Sequence, residues 1–152
     1  MPHDRDWTYS VAFPTTHEWY STAAVESYRR IHDWIRSAFA RLDVTVQLAP
    51  TAIKAQPGQC FVGCERFDVL WRGRKIAGAA QRRRRDGLLI QGSVQPVDGA
   101  MRRAEWEKAM CLVGEADRGI TWESMPRDKA LEERAGELST FKYSQEAFNR
   151  KR

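Results

Sequence analysis

The residues of this chain best suited to chemistry lie close together, in the stretch CFVGCERFDVLWRGRKIAGAAQRRRRDGLLIQGSV at positions 60–94. Lys75 opens a predicted strand directly after a turn, and three small residues, Ala77, Gly78 and Ala79, follow it. Gly and Ala inside a strand forfeit side-chain packing, and a common reason is that a ligand or another backbone approaches closely there. A lysine beside such a bare strip offers a point charge and an accessible backbone, which suits a phosphate or a thioester carbonyl. Cys60 stands in the loop just before this region. Each residue has a plainer reading. Lys75 can be a surface lysine at a turn, Gly78 can mark a bulge, and Cys60 can be a small buried hydrophobe. Residue type alone leaves both readings open.

The elements that must position these residues follow from periodicity. Residues 7–13 alternate, with Trp7, Tyr9, Val11 and Phe13 against Thr8, Ser10 and Ala12, which predicts a strand buried on one face. Residues 24–42 carry Val25, Tyr28, Ile31, Ile35, Ala38, Phe39 and Leu42 on one stripe, which predicts a helix with Ser21 or Thr22 as N-cap. A short strand at 44–48, a Pro- and Gly-containing loop at 49–58 and a strand at 66–71 come next. Arg72-Gly73-Arg74 reads as a tight hairpin turn and Asp86-Gly87 as another, so residues 75–84 and 88–95 complete an antiparallel meander. Helical character returns at 100–112 and 127–149, with turns near 114–119 and at Pro126. Strand, helix, meander and helices make an α+β protein, not a βαβ alternation. No repeat or linker interrupts it, and the expectation is a single domain over 1–152.

Composition excludes several classes. With 30% charged and 42% hydrophobic residues, the chain is globular and not disordered. No apolar run approaches the roughly 20 residues of a membrane span. No apolar signal region follows the N-terminus, so a cytoplasmic location is expected. Three cysteines, Cys60, Cys64 and Cys111, do not make a disulfide framework. The histidines, His3, His17 and His32, lie far upstream of them, so no metal site is expected. The net charge of +5 is concentrated in Arg82 to Arg85, with Arg72, Arg74 and Lys75 just before. Such a cluster fits phosphates, nucleic acid or an acidic protein face, or is simply a solvated basic strand. Nucleic acid is disfavoured, because the run presents no aromatic stacking platform.

Taken together, the run DVLWRGRKIAGAAQRRRRDGLLIQGSV resembles the signature of the lipoate–protein ligase and octanoyltransferase family, the biotin/lipoate A/B protein ligases. The resemblance rests on Asp68, then Lys75, Ile76, Gly78, Ala79, Ala80, Gln81 and Arg82, then Gly87, Leu88, Gly92, Ser93 and Val94. It extends to His3-Asp4 with Thr8-Tyr9-Ser10, to Glu26-Ser27-Tyr28 and the helix behind it, and to Lys142-Tyr143 through Arg150. Two departures stand out. The family's Arg-Arg-x-x-Gly-Gly-Gly segment has no counterpart, with Met1-Pro2 where it should end, and Ile90 occupies a place where relatives often have histidine.

The resemblance implies a mixed, largely antiparallel sheet with flanking helices, present as a partial domain truncated at its N-terminus. It implies a lipoate–protein ligase-like acyltransferase that attaches lipoyl or octanoyl to a lysine of a lipoyl domain. That domain would belong to a 2-oxoacid dehydrogenase or to a glycine-cleavage H-type protein. The acyltransferase could be one subunit of a split enzyme, with a companion polypeptide supplying the missing part. By resemblance Lys75 is catalytic, and Gly78, Ala79, Gln81, His3 and Gly92 bind substrate or adenylate. A ligase would use ATP and Mg²⁺ with lipoate. A transferase would instead take octanoyl from a carrier-protein thioester through Cys60, whose thiolate the Lys75 cation would favour. Arg82 and Arg84 would dock the acidic carrier or lipoyl domain. A reading from another class is a non-catalytic binding or regulatory subunit.

Overall fold

The computed structural model describes residues 6–53, 63–97 and 101–149. In chain order its elements begin β1 (Trp7–Pro14), α1 (Glu18–Ser21), α2 (Ala24–Ala40), β2 (Gln47–Leu48) and β3 (Val69–Trp71). They continue with β4 (Arg74–Arg84), β5 (Gly87–Val94) and α3 (Arg103–Arg118), then α4 (Lys129–Leu138), a π-helical turn at Ser139–Tyr143 and α5 (Glu146–Asn149). The strands form one sheet in the order β1-β5-β4-β3-β2, with each named pair antiparallel. This is the expected α+β architecture. The chain divides between Ile120 and Thr121 into two compact units, a division that the reading of residues 1–152 as one domain does not register.

The meander owes its shape to its turns. Arg72 and Gly73 both take positive φ, 49° and 77°, as a two-residue type I′ hairpin requires. Asp86 and its neighbour Arg85 make the second turn, and Gly87 already pairs with Arg84. A Cβ at Gly87 would run into the carbonyl oxygen of Phe13 on β1, so this glycine lets β1 lie close. Strand alternation then sorts the sheet into two faces. Trp7, Tyr9, Val11 and Phe13 of β1 align with Val94, Gly92, Ile90 and Leu88 of β5, and these with Ala77, Ala79, Gln81 and Arg83 of β4. This face meets the helices. The opposite face consists of four rows across the three strands: Thr8, Ser93 and Gly78; Ser10, Gln91 and Ala80; Ala12, Leu89 and Arg82; Pro14, Gly87 and Arg84.

Helix α2 covers the first face. Ile31, Ile35, Ala38 and Phe39 are fully buried on it, and the indole N–H of Trp34 donates to the carbonyl of Met110 at 2.8 Å, fastening α2 to α3. Val25, placed on the same stripe by sequence, is 61% exposed. The expected N-cap is also displaced. Ser21 and Thr22 spend their hydroxyls on the carbonyl of Glu18, ending α1, and Ala23 begins α2 without a side-chain cap. The strand expected at 66–71 starts late, at Val69, since a turn from Glu65 to Asp68 precedes it. The helix expected at 100–112 runs on through buried Gly114, and the turn expected near 114–119 comes at its end, where Gly119 takes φ 63°. In the second unit α4 is N-capped by Asp128, whose side chain accepts from the backbone N–H of Ala130, and it buries none of its residues.

One buried residue of α2 titrates. Burial holds the His32 imidazole down at about 4 from its usual 6.5, the attraction of Asp68 offsetting this only in part and the charge of Lys75 adding to it. Its pKa is lower folded than unfolded, so the unfolded chain takes up the proton first as pH falls. This contribution is intact above pH 6.5 and is lost between there and about 4, to a total of about 3 kcal/mol. Denaturant melts at pH 7 and pH 4.5 should show a steeper loss for the natural protein than for His32→Phe. At pH 7, Ile35→Ala should lower stability by about 2–5 kcal/mol, while Val25→Ala should cost under about 0.5 kcal/mol.

Candidate functional site

Lys75 is not a surface lysine. Its side chain is 15% exposed and its Nζ sits 2.8 Å from Oδ2 of Asp68, which has no solvent exposure. Two features of β4 put it there. The pairing of β3 with β4 slips between Val69 and Leu70, which face Ala77 and Lys75, so Ile76 is an extra residue on β4. Strict alternation would align Lys75 with Ala77 and Ala79 towards the helices; the bulge carries it to the other set. The second feature is Gly78, in regular register with Ser93. A Cβ there would lie 2.8 Å from Cε and 2.9 Å from Nζ of Lys75, and 3.1 Å from Oδ1 of Asp68. Glycine leaves the space that the lysine crosses, and the bulge itself falls at Ile76.

Asp68 is satisfied on both oxygens. Oδ2 accepts the backbone N–H of Glu65 at 2.7 Å as well as Lys75, and Oδ1 accepts the hydroxyl of Tyr28 at 2.5 Å. The Tyr28 hydroxyl in turn accepts the N–H of Ala79 at 3.3 Å, beyond the point where β3 stops pairing with β4. Burial, then the bond to Asp68, pushes the Tyr28 phenol far above its usual pKa, so it stays a neutral donor. Its ring centroid lies 4.2 Å from that of His32, with the two planes at 71°. Tyr9 completes the group: its ring occupies the space left by the missing Cβ of Gly92, and burial followed by the charge of Asp68 raises its pKa strongly. Its hydroxyl has no hydrogen-bond partner among the described residues.

Lys75 borders an open depression of about 720 Å³, together with Thr8, Tyr9, Ser10, Gly78, Ala79, Ala80, Gln91, Gly92 and Ser93. Small residues form its floor, and the cation stands at its edge. Such an arrangement can receive a flat or extended group on backbone and small side chains while the ammonium faces a developing anion. Gly78, Ala79 and Gly92 thus come together with Lys75, as the sequence leads one to expect. Gln81 does not join them. Its side-chain amide donates to the carbonyl of Ala24 at 2.6 Å and accepts from Ser27 at 2.8 Å, tying β4 to the start of α2. His3 and Cys60 lie outside the described residues. Cys111 is on α3, where burial and the charges of Glu115 and Glu107 push its thiol up, away from nucleophilic use at neutral pH. No group of three or more His, Cys, Asp or Glu side chains is placed to hold a metal among the described residues.

The arginine run divides by alternation. Arg82 and Arg84 are exposed and border a second depression of about 520 Å³ with Ala12, Pro14, Gly87 and Leu89. Arg83 points the other way and donates to the carbonyls of Trp19 and Tyr20 and to the Ser27 hydroxyl, so its charge is used inside the fold. Sequence reasoning finds Lys75 but takes Tyr28 as a member of the helix stripe and weighs His32 only as a metal ligand. The available signal was polar side chains, Ser27, Tyr28 and His32, at positions where that stripe should be apolar.

Among curated proteins the chain is 30% identical to octanoyltransferase LipM of Staphylococcus epidermidis over 105 residues, covering 63% of this chain and 38% of that protein. With the LipM of Macrococcus caseolyticus the identity is 24% over 144 residues, covering 78% and 52%. The chain therefore spans between about a third and a half of the length of these relatives. Among solved structures it superposes on lipoate-protein ligase A bound with ATP at a TM-score of 0.71 and 15% identity, covering 95% of this chain and 65% of that one. A bi-partite lipoate protein ligase of Thermoplasma acidophilum gives 0.62 and 17%, covering 96% and 64%. At these identities the superpositions speak for the fold alone. The model of the lipoyl protein ligase A/B catalytic domain matches residues 1–105, and the chain belongs to that family.

Proposed function

We propose that this chain forms the Lys75-bearing part of an acyltransferase that moves an octanoyl or lipoyl group onto a lysine of a lipoyl domain. The observation that carries this reading is the Lys75 ammonium, held by buried Asp68 over Gly78 at the edge of an open floor of small residues. A cation fixed in that way can stabilise the oxyanion that forms when an acyl carbonyl is attacked, without reorganising at the moment of reaction.

The donor is an octanoyl thioester in the reading that the LipM relatives favour. The Cys60 thiolate attacks the acyl carbonyl, the carrier's C–S bond breaks, and the carrier leaves as a thiol. The amine of the lipoyl-domain lysine then attacks the acyl-cysteine, an amide forms and Cys60 is released. A second reading, ligation from lipoate and ATP, draws support from the fold neighbour bound with ATP. Lys75 and the bare backbone beside it fit a nucleotide phosphate. The described residues offer no acidic cluster, so Mg²⁺ in that route would be carried chiefly by the phosphates. In both routes further polypeptide, in the same chain or as a companion, completes the pocket, consistent with this chain spanning 64% of the matched chain in the bi-partite ligase structure. No described helix is long and apolar enough to cross a membrane, and we place the reaction in the cytoplasm.

Intact-mass spectrometry of a lipoyl domain tests the reading. An octanoyl gain from octanoyl-carrier protein without ATP establishes the transferase; a lipoyl gain that needs lipoate, ATP and Mg²⁺ establishes the ligase. Lys75→Ala should reduce either by roughly a hundredfold or more. A lipoyl domain that binds with equal affinity to both forms and gains no mass from the natural chain, even with its completing polypeptide present, would mean a non-catalytic subunit. The exposed pair Arg82 and Arg84 should dock the acidic partner. Reversing both to Glu is expected to lower kcat/KM for the partner by about tenfold at low salt, and the difference should shrink as salt rises.

A further inference from the structure

We infer that Tyr28, on α2, is the positioning residue for Lys75, acting through Asp68. The inference rests on the reading of Lys75 as the catalytic cation. Its basis is the bonding around one carboxylate. Lys75 and the Glu65 N–H share Oδ2 of Asp68, and Tyr28 alone among the described residues donates to Oδ1, at 2.5 Å. Without the phenol, that oxygen would be a buried acceptor with nothing to accept, and a carboxylate relieves such a deficit by turning or by drawing its cation inward. Either movement takes the Lys75 ammonium off the space above Gly78.

The phenol is itself fixed. It accepts the Ala79 N–H at 3.3 Å, so its oxygen is registered to β4, the strand that carries Lys75. Its ring lies edge-on to His32, one turn along α2 and fully buried. The charged and titratable groups facing this centre are Asp68 from the approach to β3, Lys75 from β4, Tyr9 from β1, and Tyr28 and His32 from α2. Among them Tyr28 links the helix layer to the carboxylate by a direct bond. Helix α2 therefore sets where the cation stands, although it contributes no side chain to the rim of the open depression.

The test compares Tyr28→Phe, which removes only the hydroxyl, with the natural chain. In ¹³C-lysine-labelled protein, the two ε-methylene protons of Lys75 should resolve as separate signals while the side chain is held. In Tyr28→Phe they should collapse to one. With the completed enzyme, kcat for acyl transfer should fall on the order of ten- to a hundredfold, with KM for the lipoyl domain within about twofold. In an Asp68→Asn background, adding Tyr28→Phe should change kcat by less than about twofold, because both substitutions remove one path. Resolved ε-methylene signals and unchanged kcat in Tyr28→Phe, with only a lowered Tm, would overturn the inference and leave the hydroxyl a purely structural group. Multiplying effects in the double variant would also overturn it. If Lys75→Ala retains full transfer, the reading of Lys75 fails instead, and the methylene signals still report whether Tyr28 holds the side chain.

Discussion

A carboxylate without solvent exposure must be met by donors or it is ruinously expensive to bury. Asp68 is in that position, and its donors come from three separate parts of the chain: the Glu65 amide, the Tyr28 phenol and the Lys75 ammonium. Much of the local irregularity follows from supplying them. The chain turns from Glu65 to Asp68 before it can pair, which delays β3. The extra residue Ile76 turns Lys75 towards Gly78, and Gly78 has no side chain to obstruct it. An apolar trio of the same volume would often be as stable as such a buried ion pair, or more so. The arrangement makes more sense as a way of fixing a cation than as a source of stability.

The two faces of the sheet divide the labour. Towards the helices, Trp7, Ile76, Ala77, Leu88, Ile90 and Val94 join Ile35, Phe39, Trp34 and Trp106 in close-packed clusters. The opposite face carries threonine, serine, glycine, alanine and glutamine at one end, and Arg82, Arg84, Ala12, Pro14 and Leu89 at the other. A sheet face this bare has little to bury on its own account. Its rows run from a small-residue floor beside Lys75 to a basic end, an order that suits a substrate with a reactive tip and an acidic body.

The local parts of this design were legible in the sequence, and the long-range parts were not. The alternation of residues 7–13 gave β1 almost to the residue, and Gly73 marked a hairpin that the backbone confirms with two positive φ angles. Lys75, Gly78 and Ala79 could be singled out because a lysine beside small residues in a strand needs an explanation, and Gly92 through the family resemblance. The bulge at Ile76 leaves no trace in composition, since Lys75, Ile76 and Ala77 read equally well as regular strand. Gln81 entered only through the family resemblance, and the register turns it to the helices, where the Ala24 carbonyl takes it up. Tyr28 was hidden by its company. On an apolar stripe a tyrosine counts as core, and only a partner forty residues away in sequence, Asp68, gives its hydroxyl a purpose.

That last point bears on how a site of this kind is held. A strand displays side chains at fixed spacing, but a lysine has four rotatable bonds and does not hold a position through its backbone alone. The constraint has to come from a group that is itself immobile. Here the carboxylate is pinned by a backbone amide on one oxygen and by a phenol on the other, and the phenol is pinned by a strand amide and by the helix that bears it. The carboxylate is fully buried, and the bonds that reach it from the Glu65 amide and the Tyr28 phenol are 2.7 and 2.5 Å long. A charge placed by such a chain can face an open cavity with only a small fraction of its own surface exposed, which keeps water from screening it. The cation is thus tied to a helix that contributes no side chain to the rim of the open depression.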